Sequence, residues 1–100
     1  MPNKYRAIRT NGYASRKEAR RAFELNLLER AGEISDLHQQ VRFELIPKES
    51  GERPLYYVSD FTYMRDGILI VEDVKGFKTP VYKLKKRLMK YLLRIEITET

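Results

Sequence analysis

The sequence contains no cysteine. Disulfides, a zinc knuckle and thiol chemistry are therefore excluded, and the absence suits a reducing compartment. The single histidine, His38, rules out a multi-histidine metal centre. Any bound metal must rely mostly on oxygen ligands, which points to magnesium or manganese. Glycine (5) and proline (4) are sparse among 100 residues, and no low-complexity tract interrupts the chain. No apolar run approaches the roughly 20 residues of a membrane-spanning helix. The opening MPNKYRAIRTNG lacks the apolar core of a secretory signal. These absences together lead to the expectation of a cytoplasmic protein that does not enter a membrane.

What is present fits one small domain with one modest core, since 42% of the residues are hydrophobic. The formal net charge is +6, and a basic surface attracts polyanions such as nucleic acid. Residues 1–14 read as a basic N-terminal arm carrying Lys4, Arg6 and Arg9. Residues 15–100 read as the folded domain.

Ser15, followed three residues later by Glu18, has the pattern of a capping box and predicts a helix from 15 to 31. Its expected apolar stripe is Ala19, Ala22, Phe23, Leu27 and Ala31, with Gly32 as the stop. Val41, Phe43 and Leu45 alternate with Arg42 and Glu44, which predicts a strand ended by Pro47. LYYVSDFTYM and ILIVEDVK predict two further strands, joined through Asp66-Gly67 as a tight hairpin turn. Thr79-Pro80 predicts the start of a second helix, with Val81, Leu84, Leu88 and Tyr91 as its apolar stripe. Leu93, Ile95 and Ile97 alternate with polar residues and predict a last strand. The expected order is αβββαβ, an α/β (α+β) fold with a mixed sheet and helices packed on it.

A two-residue turn at Asp66-Gly67 fixes the hairpin register. Arg65 then faces Ile68, Phe61 faces Glu72, Asp60 faces Asp73 and Val58 faces Lys75. With the period of two, Asp60, Asp73 and Lys75 share one face, along with Tyr56, Val58, Leu69 and Val71, and Glu72 points to the other. Two opposed carboxylates repel each other, and an apolar setting adds a burial penalty. A divalent cation held by both would relieve each cost. Lys75 beside it could hold a scissile phosphate or the attacking water and stabilise developing charge, which is a coherent arrangement for phosphodiester hydrolysis. The plainer reading is a solvated acidic pair neutralised by Lys75, and a bulge in the hairpin would put Glu72 in the place of Asp73.

The spacing of Asp60 from Asp73-Val74-Lys75, with this element order, resembles the PD-(D/E)XK nuclease superfamily. The resemblance implies a restriction-endonuclease-like core and magnesium-dependent hydrolysis of nucleic-acid phosphodiesters, with manganese as a substitute. Many members add a glutamate from the first helix, a position that Glu18 matches. The proline that often precedes the first aspartate is absent, and Ser59 stands there instead. More narrowly, LLERAGEI, QVRFELIP, VSDFTY, VEDVKG and VYKLKK resemble an uncharacterised family of small phage-related, endonuclease-like proteins. That similarity spans nearly the whole chain.

The expected site is thus Glu18, Asp60, Asp73 and Lys75, with Glu18, Asp60 and Asp73 as metal ligands. Glu18 fits equally the capping box, Gln40 is a further candidate beside the lysine, and His38 reads as a surface residue. Arg16, Lys17 and Arg20 on the first helix, with Lys83, Lys86 and Arg87 on the second, form the expected phosphate-contacting surface. No base-reading pattern accompanies them, so recognition by shape is expected, as for a Holliday junction or other branched DNA. One centre per chain and two strands to cut imply a homodimer, with Tyr56, Tyr57 or Phe77 suited equally to its interface or to the core. The competing readings are a non-catalytic DNA-binding protein and a nuclease subunit of a larger phage or transposition assembly.

Overall fold

A computed structural model describes residues 15–100. The expected basic arm lies outside the described residues. Helix α1 (Arg16–Arg30) is followed by strands β1 (Ser35–Ile46), β2 (Leu55–Arg65) and β3 (Ile68–Asp73), helix α2 (Pro80–Leu93) and strand β4 (Thr98–Glu99). This is the expected αβββαβ order. The strands form one mixed sheet in the order β1-β2-β3-β4, antiparallel except for the parallel β3–β4 pair that α2 connects. Two helices flank it, with α1 residues in one buried cluster and α2 residues in another.

Local chemistry explains the boundaries. Ser15 Oγ accepts the backbone N–H of Glu18 at 3.1 Å, and Thr79 Oγ1 accepts that of Tyr82 at 3.0 Å. Each supplies an orphan donor of a helix start with its partner. Asp66 and Gly67 both take positive φ, 53° and 76°, as a two-residue hairpin turn of this type requires. The register is the expected one from Arg65↔Ile68 to Phe61↔Glu72.

Three expectations need correction. The first is the apolar stripe of each helix, of which Ala22 and Leu88 pack inward as expected and most other members do not. In α1 the buried residues are Glu18, Ala22 and Leu25, while Phe23 and Leu27 are exposed. In α2 they are Tyr82 and Met89, while Val81, Leu84 and Tyr91 are exposed. Amphipathic periodicity identified helices, but buried acidic and aromatic groups, which hydropathy does not mark as core, decide which face turns inward. The second is the last strand. Leu93 still belongs to α2, Arg94 ends it in the left-handed region (φ 59°), and only Thr98–Glu99 pairs with β3. Ile95 and Ile97 alternate because they return under α2 to its cluster.

The third concerns faces. Tyr57 and Phe61 are four residues apart, so a regular strand would place them on one face. Tyr57 instead belongs to the α2-side cluster and Phe61 to the α1-side cluster. In β1, Phe43 and Leu37 divide in the same way. Midway between them Gln40 has φ 54°, and its neighbours pair as Gln39↔Phe61 and Val41↔Ser59, which puts Gln40 across from Asp60. Both strands therefore turn over at this point. Val58 is exposed in consequence, and the β2–β3 pairing ends at Phe61↔Glu72, short of Val58 and Lys75.

Candidate active site

The turnover brings together groups that a regular sheet would separate. Asp73 is buried at the end of β3. Its Oδ2 accepts the hydroxyl of Tyr57, and its Oδ1 lies 3.2 Å from the Lys75 ammonium. That ammonium also stands 4.0 Å from the centre of the Tyr82 ring, a cation–π contact. Asp60 Oδ2 accepts the backbone N–H of Val74 at 2.7 Å, and its carboxyl group lies within hydrogen-bonding reach of Asp73. Burial first, then Asp73, push the Asp60 carboxyl up to about 8, with a smaller repulsion from Glu18. A carboxyl in that range keeps its proton until a positive charge arrives.

Glu18 is buried on α1, and its Oε2 accepts from Gln40 Nε2 at 3.4 Å. Glu18 on α1 and Gln40 thus lie beside the group formed by Asp60, Asp73 and Lys75. Among the described residues, no three acidic or histidine side chains converge to cage a metal ion. The convergent unit is the Asp60–Asp73 pair with Lys75.

Glu72 is fully buried on the opposite face, as the alternation required. Arg21 Nε and Nη2 donate to its two oxygens at 2.6 and 3.0 Å, Tyr63 donates at 2.7 Å and Thr100 at 3.1 Å. That carboxylate is saturated, and its role is to fasten α1 to β3. His38 is exposed on β1, paired with Thr62, away from the acidic pair. Ser59, where the proline was absent, is buried and donates to Val41 O at 3.2 Å.

Two site residues escaped the sequence reading. Tyr57, which by sequence suits an interface or the core equally, is 3% exposed and positions Asp73. Tyr82 lay off the expected helix stripe. No pattern in the sequence marks the strand turnover that recruits Tyr57. A tyrosine seven residues beyond Lys75, in the first turn of a capped helix, was the available signal for Tyr82.

The basic residues divide. Arg16 and Arg20 are exposed, and Lys17 Nζ donates to Lys75 O at 2.8 Å. Lys17 and Arg20 line a recess of about 170 Å³ that includes Val74. On α2, Lys83 and Arg87 are exposed, and Lys86 pairs with Glu99 at 3.1 Å. These three line a larger open cleft of about 650 Å³, which meets the acidic site through Tyr82. Among the described residues no helix is long and apolar enough to cross a membrane.

The fold and site define a small α/β protein with an acidic pair, Asp73 buried and Asp60 partly so, an adjacent lysine and basic helices on both sides. The chain belongs to the family described as protein of unknown function (DUF1064), whose model matches residues 3–98. No curated protein and no solved structure matches it.

Proposed function

We propose that the protein is a metal-dependent endonuclease that hydrolyses DNA phosphodiester bonds, with branched DNA such as a Holliday junction as its preferred substrate and a homodimer as its working form. The observation that carries this reading is the convergence of Asp60, held by the Val74 N–H, and Asp73, held by Tyr57 and Lys75, two carboxyl groups close enough that each raises the cost of charging the other. All the donors are carboxylate oxygens, and the Asp60 carboxyl is short of positive charge, so the pair fits a hard divalent cation such as Mg2+ or Mn2+. Asp60 and Asp73 would hold it, and Glu18, which does not converge with them in this structure, would move in as the third carboxylate. When bound, such an ion activates water and polarises a phosphoryl oxygen.

The remaining chemistry falls to the chain. Tyr57 fixes the orientation of Asp73 through its hydroxyl, and the Val74 N–H fixes that of Asp60. Lys75, held between Asp73 and the Tyr82 ring, presents a positive charge to a scissile phosphate and stabilises the charge that develops there. Arg16, Lys17 and Arg20 on one side, and Lys83, Lys86 and Arg87 on the other, neutralise the flanking backbone. One centre per chain makes a two-fold dimer the natural way to cut two strands. The exposed residues Phe77, Val81, Leu84 and Tyr91 offer an apolar surface for a second copy.

The test is incubation of purified protein with linear duplex, single-stranded, four-way-junction DNA and a matched RNA, with and without Mg2+ or Mn2+, alongside Asp73→Asn. Metal-dependent cleavage of the junction that the variant lacks is the expected outcome. Cleavage by the variant at the full rate refutes the site. DNA binding without cleavage by any preparation replaces the enzyme with a binding protein. Light scattering, alone and with Leu84→Glu, reads the dimer.

A further inference from the structure

The cleft between α2 and β4 contains an arrangement that the acidic site does not explain. Lys78, Lys83, Lys86, Arg87 and Lys90 line it, together with Tyr82, Glu96, Ile97 and Glu99. Among the described residues, Lys83 and Arg87 have no carboxylate within ion-pair distance. The Glu99 carboxylate is held by three donors at once: Lys78 Nζ at 2.8 Å, Lys86 Nζ at 3.1 Å and the Tyr82 hydroxyl at 2.6 Å. Two ammoniums and a phenol converging on one anion form the donor set of a phosphate subsite. Lys78 first, then Tyr82, hold the Glu99 carboxyl down to about 2, so it is charged at every physiological pH.

Position adds to the argument. Asp73 and Glu99 are paired across β3 and β4, so the two anion-handling sites sit on neighbouring strands about 5 Å apart at the backbone. Tyr82 joins them, with its ring under the Lys75 ammonium and its hydroxyl on Glu99. A polyanion with phosphates at regular intervals could engage Lys75 with one and this cleft with another.

We propose that the α2–β4 cleft is a second phosphate site for the nucleic-acid backbone, and that Glu99 occupies it as a built-in competitor. The proposal rests on the nucleic-acid reading above and deepens it. On binding, a non-scissile phosphate displaces the Glu99 carboxylate and takes Lys78, Lys86 and the Tyr82 hydroxyl, while Lys83 and Arg87 contact the adjoining backbone. Weak, nonspecific binding is thereby restrained, because the cleft must give up its internal anion first.

The test is DNA affinity measured by fluorescence anisotropy in EDTA, where no cleavage intervenes. Glu99→Gln keeps an acceptor for Tyr82 but gives up the charge. It is expected to bind a labelled duplex about 2- to 5-fold more tightly than the natural chain, the worth of a surface ion pair that no longer has to be broken. Glu96→Gln is the control: it also deletes one charge from the same cleft, but its carboxylate pairs with Lys90 alone. Equal gains in the two variants reduce the effect to net charge and overturn the proposal. Arg87→Ala, which breaks no internal ion pair, should lower affinity and reduce the slope of log K against log salt by about 1. An unchanged slope removes the cleft from the DNA path, even if Glu99→Gln proves unstable. Binding by these residues to phosphatidylglycerol vesicles but not to DNA would also overturn it. Cleavage of junction DNA, scored separately, leaves the nuclease reading standing or falling independently of these outcomes.

Discussion

The Asp60 carboxyl supplies the most direct physical test of the site. Its proton is held up to about 8 in the folded protein against an ordinary 3.8, a rise of about four units. The sign follows from which state binds more protons. Between pH 4 and 8 the folded state keeps the Asp60 proton and the unfolded state has lost it, so stability falls as pH rises through that interval. Above pH 8 both states are ionised, and the whole cost of charging Asp60 beside Asp73 is borne by the fold. Each unit is worth about 1.4 kcal/mol, which sets a ceiling of about 6 kcal/mol. Asp60 is only partly buried, so screening and local relaxation reduce this to about 2–3 kcal/mol. Asp60→Asn removes the charge while keeping an oxygen for the Val74 N–H. In EDTA at pH 8.5 it should melt higher than the natural chain by about 10 °C, given about 4–8 °C per kcal/mol for a domain of this size. The gap should close as pH falls towards 4.5, and groups common to both proteins largely cancel in the difference. Adding Mn2+ should raise the melting point of the natural chain and narrow the gap at high pH. A gap that is flat with pH, or a variant that melts lower at pH 8.5, would refute the reasoning, because Asp60 would then not be charged against Asp73.

Three further outcomes follow from the same geometry. Lys75→Met should lower single-turnover cleavage by about 10²- to 10³-fold, with DNA affinity little changed, and cleavage at the original rate removes Lys75 from the chemistry. Tyr57→Phe deletes a hydrogen bond to a buried carboxylate and should lose about 1.5–3 kcal/mol in urea unfolding; an unchanged midpoint means that Tyr57 does not hold Asp73 in solution. Arg21→Ala strands the buried Glu72 and should lose about 3–5 kcal/mol, whereas cleavage well below the melting point should persist. Loss of cleavage without loss of stability in that variant would place Glu72, not Asp73, in the reaction.

Much of the fold was legible because it rests on short-range chemistry. Ser15, Thr79-Pro80 and Asp66-Gly67 each dictate one local geometry, and the last of these set the hairpin register that opposes Phe61 to Glu72. The placement of Glu72 and Asp73 on opposite faces followed directly. What was not legible depends on nonlocal contacts. The turnover at Gln40 and Asp60 leaves no mark in hydropathy, because Tyr57, Ser59, Phe61 and Tyr63 are all buried through it. Parts of the expected helix stripes face outward for a related reason. Glu18 and Tyr82 turn inward to serve polar partners, and apolar residues such as Phe77 and Val81 are left outside.

The contrast between neighbouring residues of β3 separates structural from functional charge. Glu72 and Asp73 are adjacent, both buried, and each is held by a tyrosine hydroxyl and a cation. At Glu72 the arrangement closes: Arg21 donates twice, and Tyr63 and Thr100 complete the oxygens. At Asp73 it does not, because Asp60 makes contact and Glu18 adds repulsion, while Lys75 is the cation that touches the pair. If burial of carboxylates served stability alone, the solution found at Glu72 was available one residue away, and converting Asp60 to an amide would improve the fold at no loss. An acidic pair left deficient in positive charge among the described residues, with its side chains already oriented by Tyr57 and Val74, is a destabilising arrangement that a bound cation would relieve. A divalent cation supplies the positive charge that Asp60 lacks among the described residues, and on that deficit the functional reading rests.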